Sequence, residues 1–268
     1  MRPLAGRRVV SVAVNLPGPL AARRLADLGA DVVKVEPPAG DPLATYAPDL
    51  YAELSAGMEI VVRDLKESPP GELLAESDVL ITSSRPSSLA RLGLDSASLA
   101  AHPRLCHVAI VGYAGDAAEA AGHDLNYQAA AGLVRPPQLP ASLLADMAGG
   151  ERAAFAALAL LAERERTGRG GAIEVALADA AAALAAPLAA GLTADGAVLG
   201  GGNPFYAVYP AATGHVAVGC LERQFAVRLG EALGARTADE LAAAFLGRQA
   251  DEWERWALAH DLPVNAVR

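Results

Sequence analysis

Several things are scarce in this chain, and each scarcity excludes something. Of its 268 residues only two are cysteines, Cys106 and Cys220. They lie far apart and form no CxxC pair, so neither a disulfide framework nor a cysteine metal site is expected, and a reducing compartment fits. Basic residues are too few to balance the acids, and the net charge of −9 argues against a broad nucleic-acid surface. That balance leaves room for a small basic pocket serving one phosphorylated ligand. No long uninterrupted apolar run is present. The alanine-rich stretch 172–191 carries Glu174, Asp179 and Pro187, which a membrane span would tolerate poorly. The apolar run 9–14 behind the basic N-terminus is too short for a signal-peptide core. The expectation is a cytoplasmic protein with no membrane partner and no nucleic-acid partner.

The familiar cofactor motifs are missing too. The turn after the first apolar run reads Asn15-Leu16-Pro17-Gly18-Pro19 and lacks the GxGxxG by which a pyrophosphate approaches backbone. There is no Walker loop, no GxSxG elbow and no HExxH, so neither nicotinamide nor metal chemistry is expected.

What is present is a core-forming composition, 53% hydrophobic and 20% charged, in a chain long enough for one large domain or two smaller ones. β-branched runs at 9–14, 31–36, 59–62, 79–82 and 105–111 alternate with helical stretches. That pattern predicts βαβ units, and hence a doubly wound, mostly parallel, Rossmann-like α/β sheet. A long alanine- and leucine-rich helix is predicted over 143–166, stopped by Thr167-Gly168-Arg169-Gly170-Gly171. A strand over 172–175 and a helix over 177–190 follow. Gly200-Gly201-Gly202-Asn203-Pro204 reads as a hinge or turn. Beyond it a strand (216–218) and helices (224–233, 237–245) predict a smaller α+β domain, so the expected domains are 1–191 and 192–268.

Three clusters could carry chemistry. Gly122-His123-Asp124-Leu125-Asn126-Tyr127 groups polar side chains between apolar runs; alternatively, it is a helix start with Asp124 as its cap and His123 on the surface. Leu144-Ala145-Asp146-Met147-Ala148-Gly149-Gly150 opens the long helix. Asp146 there is either a plain N-terminal cap or a reactive carboxylate, to which two glycines would admit a substrate closely. The third cluster, Gly219 to Phe225, presents Glu222 at a strand end, where it could also be a first-turn helix acid.

Together these segments resemble the class III CoA-transferase family, the carnitine-dehydratase and bile-acid-inducible group that includes α-methylacyl-CoA racemase. The resemblance rests on Pro3 to Gly6, LADLGADVVKVEPP (25–38), Asp64 to Lys66, Arg85-Pro86, Leu92 to Leu94, GHDLNY (122–127), Asp146, ERERTG (163–168), NPFY (203–206) and Leu221 to Phe225. It implies an acyl-CoA substrate, with coenzyme A entering as the thioester. In the transferases the aspartate matching Asp146 attacks the thioester and becomes an acyl anhydride, and a glycine-rich backbone beside it would hold the oxyanion. In the racemase branch the residues matching His123 and Asp146 flank the α-carbon and exchange its proton, and Glu222 orients the histidine. Lys66, Arg85 and Arg91 are the candidate phosphate contacts, and Tyr127 a candidate wall of the pantetheine channel. Ala44 stands where many relatives carry a CoA-contacting arginine. Typical members continue past the position of Arg268 and return to the large domain, a segment that helps interlock two rings. A homodimer is expected, without that return segment. Three functions are expected in this order: CoA transfer, 2-methylacyl-CoA racemisation, and non-catalytic acyl-CoA binding.

Overall fold

The computed structural model describes residues 1–68 and 70–268. The chain divides into two compact units, Met1–Ala185 and Ala186–Arg268.

The first unit is built on six strands, β1 (Arg8–Ser11), β2 (Asp31–Glu36), β3 (Glu59–Val62), β4 (Val79–Thr82), β5 (Cys106–Val111) and β6 (Ala172–Ala176). Its helices are α1 (Pro17–Asp27), α2 (Leu43–Tyr46), α3 (Pro48–Ser55), α4 (Gly71–Ala75), α5 (Pro86–Arg91), α6 (Ser96–Leu99), α7 (Asp124–Ala130), α8 (Leu144–Thr167) and α9 (Leu177–Leu184). Every pairing in the sheet is parallel, in the order β3-β2-β1-β4-β5-β6. Parallel strands are covered on both faces, which is why their sequences are near-continuous β-branched runs rather than alternating ones. Val9, Val79, Ile81, Val108 and Ile110 pack on one face against α1 and the alanine face of α8. Val10, Val33, Val35 and Leu80 pack on the other against Leu74, Leu89 and Leu94.

The doubly wound α/β reading of the sequence is thus correct. Strands at 31–36, 59–62 and 79–82 fall where the residues predict them. The first strand is shorter than 9–14 because the chain leaves the sheet early: Gly18 packs so tightly on Ala13 that an added Cβ would sit 2.1 Å from the Ala13 Cβ. The helix expected over 177–190 breaks at Ala185, two residues ahead of Pro187, which has no N–H to continue the hydrogen-bond ladder.

The second unit holds α10 (Ala186–Ala189), a helical turn at Val198–Gly202, β7 (Tyr206–Pro210), β8 (His215–Gly219), α11 (Arg223–Leu233), α12 (Ala238–Phe245), α13 (Ala250–Ala259) and β9 (Val264–Ala266). Its three strands form an antiparallel sheet, β7-β8-β9. Val216, Val218, Leu229, Leu241, Phe245 and Trp253 form its core. Buried Trp253 satisfies its indole N–H on the Phe245 carbonyl at 2.7 Å. The glycine run expected as a hinge is the turn at Val198–Gly202, where an added Cβ on Gly200 would sit 1.8 Å from the Ala194 carbonyl oxygen.

Candidate active site

Strand order reverses between β1 and β4, and in open α/β sheets the crevice at that switch point is the usual ligand site. A cleft of about 800 Å³ opens there. Its floor is the chain just past three strand ends: Val14 and Asn15 after β1, Ser83 to Arg85 after β4, and Gly112 after β5. The starts of α7 and α8 complete the wall with His123, Tyr127, Leu143 and Asp146.

Helix α1 follows β1, where a dinucleotide would seat its pyrophosphate on exposed N–H groups. Here Pro17 and Pro19 remove two donors from the first turn. This end of the cleft is consequently poor in anion-binding groups.

Asp146 is the third residue of α8 and is half-buried, but it does not cap the helix: the N-cap position is Leu143, with no side-chain cap. Neither carboxylate oxygen of Asp146 accepts a hydrogen bond among the described residues. Burial, reinforced by the nearby Asp124 charge, pushes its carboxyl up to about 6. Asp124 is not a helix cap either. Its buried carboxylate accepts the Asp146 backbone N–H at 3.0 Å and the Gln128 amide. Gln128, fully buried, donates as well to the Ser142 carbonyl at 2.9 Å. Two carboxyls therefore share one neighbourhood with different duties: Asp124 fixes the backbone at the start of α8, and Asp146 faces the cleft unpaired.

His123 occupies the N-cap position of α7, where its backbone N–H donates to Asn126 Oδ1 at 3.0 Å; its exposed side chain lines the cleft. Tyr127 lies beneath it, 3% exposed, edge-on to Tyr113 at 5.1 Å, and burial pushes its phenol up to about 12. Gly112 makes room for it, since a Cβ there would meet the Tyr127 hydroxyl at 2.4 Å.

One expectation is corrected. Gly149 and Gly150 do not open space for substrate or an oxyanion. A Cβ on Gly149 would meet Leu177 Cδ2 at 2.2 Å, and one on Gly150 would meet both Leu20 Cδ2 and the Pro17 carbonyl at 2.8 Å. These glycines let α8 pack closely against α9 and α1, whose Leu177 and Pro17 occupy the space beside them.

Of the three basic candidates only Arg85 lines the cleft, exposed at the start of α5, and its guanidinium has no hydrogen-bond partner among the described residues. Lys66 is exposed on a turn after β3, and Arg91 stands in the last turn of α5 beside Ser88, 3.0 Å away; neither lines the cleft. Glu222 belongs to the second unit, as N-cap residue of α11. Burial first and the Glu222 charge second push the neighbouring Cys220 thiol up to about 11.

Sequence reasoning missed the support under Asn15. Lys34, fully buried on β2, pairs with Glu36 at 2.5 Å and Asp41 at 2.6 Å, and Tyr51 donates to Glu36 at 2.8 Å. Asp41 in turn accepts the Asn15 backbone N–H at 2.9 Å, and the Tyr46 hydroxyl donates to Asn15 Oδ1 at 2.6 Å. Asn15 is held with φ of 69°, a left-handed conformation that asparagine tolerates better than most residues other than glycine. The available signal was Lys34 and Glu36 two apart on a strand, sharing one face of an otherwise apolar segment.

The fold and its cleft define an α/β protein with an unpaired, half-buried carboxyl at the sheet switch point. The sequence profile of CoA-transferase family III matches residues 4–268, and the chain belongs to that family. It is 34% identical over 262 residues to human alpha-methylacyl-CoA racemase, a match covering 89% of this chain and 66% of that protein. It is 33% identical over 209 residues to the probable fatty acyl-CoA transferase Rv3272 of Mycobacterium tuberculosis, covering 69% of this chain and 53% of the relative. A crystal structure of that protein superposes with a TM-score of 0.85 at 26% identity, over all of this chain and 85% of the other. The chain thus spans about half to two thirds of the length of these curated relatives. Family members are CoA-transferases and acyl-CoA racemases, enzymes that act on CoA thioesters. No helix among the described residues is long and apolar enough to cross a membrane.

Proposed function

We propose that this chain moves the α-proton of an acyl-CoA thioester, as a racemase or epimerase, with Asp146 and His123 as the two proton-transfer groups. The observation that carries the reading is the state of Asp146. It faces the same cleft as His123, it has no hydrogen-bond donor to hold it ionised, and its carboxyl titrates at about 6. A carboxyl in that condition gives a proton as readily as it takes one near neutral pH, and imidazole is the other side chain suited to both tasks. The thioester carbonyl acidifies the α-carbon. One group removes the proton, and the other returns it to the opposite face. Arg85, which lines the same cleft, supplies positive charge for a phosphate of CoA. The long 89% match to the human racemase agrees with this reading.

CoA transfer with Asp146 as nucleophile is the second reading. It is favoured by the place of Asp146 in the first turn of a 24-residue helix, whose positive end supports an attacking carboxylate. The two separate in one assay. A single epimer of a 2-methylacyl-CoA is incubated with the protein, with and without free carboxylates. The proposal expects the other epimer in both cases. A new thioester that forms only with the carboxylate, with the starting epimer preserved, would overturn it.

A further inference from the structure

Asn15 is an exposed polar side chain on the cleft wall, bonded through its oxygen to the Tyr46 hydroxyl, and neither reaction above needs it. Its backbone is held in the left-handed region by the buried Asp41–Lys34–Glu36 cluster, and its side-chain oxygen is taken by the Tyr46 hydroxyl. With Oδ1 accepting from Tyr46, the amide is oriented: its NH₂ group presents two donors and has no hydrogen-bond partner among the described residues. Two contacts fix this residue, the Asp41 carboxylate on its backbone N–H and the Tyr46 hydroxyl on its side-chain oxygen, so the direction of its amide is set. Three further observations place the use of that amide. Asn15 lines the same cleft as Asp146. Tyr46 lies near enough to Asp146 for that charge to act on its phenol, together with burial and Asp41. Arg85, the cation suited to a phosphate of CoA, follows β4, whereas Asn15 follows β1. With the nucleotide end of the thioester on the β4 side and the reacting carbon at Asp146, the acyl group lies on the β1 side, against Asn15 and Tyr46.

We infer that Asn15 is a specificity-determining residue whose amide donates to an oxygen on the acyl group near the α-carbon, so the preferred substrate is an oxygenated acyl-CoA, such as a 3-hydroxy-2-methylacyl-CoA, rather than a plain alkyl one. Water satisfies the NH₂ group while the cleft is open. A bound hydrocarbon chain strips that water and returns nothing, and leaving a donor unpaired is costlier than forming no bond at all. A site built to bond a substrate hydroxyl rejects the analogue that lacks it. The inference rests on the acyl-CoA reading of the cleft and extends it to the acyl group.

The test compares kcat/KM for 3-hydroxy-2-methylbutanoyl-CoA and 2-methylbutanoyl-CoA in the wild type, Asn15→Gly and Tyr46→Phe. Glycine accepts the positive φ, so Asn15→Gly removes the amide without adding backbone strain. The wild type is expected to favour the oxygenated thioester by at least about tenfold, the scale of one unpaired donor. In Asn15→Gly that ratio falls to about one. Tyr46→Phe, which releases the amide oxygen, lowers the ratio in the same direction by less, and it decides the matter if Asn15→Gly does not fold. A wild-type ratio of one or below, or a ratio unchanged in both variants, overturns the inference; equal losses on both thioesters would place the amide on the shared carbonyl instead and overturn it as well. Equilibrium binding of the same two thioesters by calorimetry gives the ratio independently of turnover. Should neither thioester react, the proposed reaction fails while the Asn15 preference is still read from binding.

Discussion

The two sides of the cleft are held in different ways. On the β1 side the backbone at exposed Asn15 is anchored from behind: its N–H by Asp41, Asp41 by fully buried Lys34, and Lys34 by Glu36 and the face of Tyr51, 4.6 Å from the ring centroid. The start of α8 is fixed in the same manner, through Asp124 and Gln128. On the β4 side Arg85 is exposed and its guanidinium has no hydrogen-bond partner among the described residues, and the neighbouring Ser87 side chain bonds exposed Glu119. The difference follows the chemistry each side would perform. Proton transfer at one carbon needs groups placed to a fraction of an ångström, and buried hydrogen bonds supply that precision. A phosphate can be held at longer range by charge, and an exposed cation at the start of a helix suffices.

Breaking the anchored side should have the largest effects. Asp146→Asn retains the shape of the carboxyl but can neither take nor give the proton, so turnover should fall by at least about a thousandfold in an epimerisation assay. Lys34→Met leaves Glu36 and Asp41 as buried, unpaired charges. Denaturant unfolding should show a loss of about 3–5 kcal/mol, with Asn15 released from its anchor. Wild-type stability in Lys34→Met would mean that the cluster anchors nothing.

A smaller effect exposes the same wiring by pH. Burial, with the Asp124 charge, pushes the Asp146 carboxyl up to about 6 in the folded chain, above the ordinary carboxylate range, so the folded state binds this proton more tightly than the unfolded one. Its favourable contribution is complete below about pH 4 and is lost as pH rises through about 6. At pH 8 the ionised group therefore costs stability, and Asp146→Asn should be more stable than the wild type by up to about 3 kcal/mol, an advantage that disappears at pH 4. A variant that loses activity while gaining stability is the mark of a site residue rather than a structural one. Asp124→Asn removes a charge that raises the Asp146 pKa, so the acid limb of the rate profile should move to lower pH. On the loose side the effect is smallest: Arg85→Ala should weaken CoA binding by about three- to tenfold, with reduced salt dependence and no change in fold.

The same contrast explains which parts could be read from the residues. Strands at 31–36 and 79–82 announce themselves because parallel strands are apolar on both faces, a local property. Asp146 and His123 were legible as polar residues in otherwise apolar surroundings. What escaped was relational. Asp124 looks like a helix cap until α8 lies beside it, and nothing local says that its partner is a backbone N–H 22 residues on. Gly149 and Gly150 beside Asp146 suggest an opening, but Leu177 and Leu20 fill it, and those contacts come from elements distant in sequence. Lys34 and Glu36 sat in plain view within β2, yet their function depends on Asp41 folding back over the strand. Lys66 and Arg91 lie near strand and helix ends as a sequence argument would like, but which basic side chain faces the cleft depends on tertiary geometry.

The central claim is that Asp146 and His123 exchange the α-proton of a thioester from opposite faces. Its most direct test is α-deuterium incorporation in D₂O, followed by mass spectrometry and stereochemical analysis for the wild type, His123→Ala and Asp146→Asn. The account expects deuterium at the α-carbon with inversion in the wild type, no inversion in either variant, and no covalent acyl adduct on the Asp146 peptide. An α-carbon that stays fully protonated while a hydroxylamine-trapped adduct appears on Asp146 would contradict it, and would assign the cleft to CoA transfer.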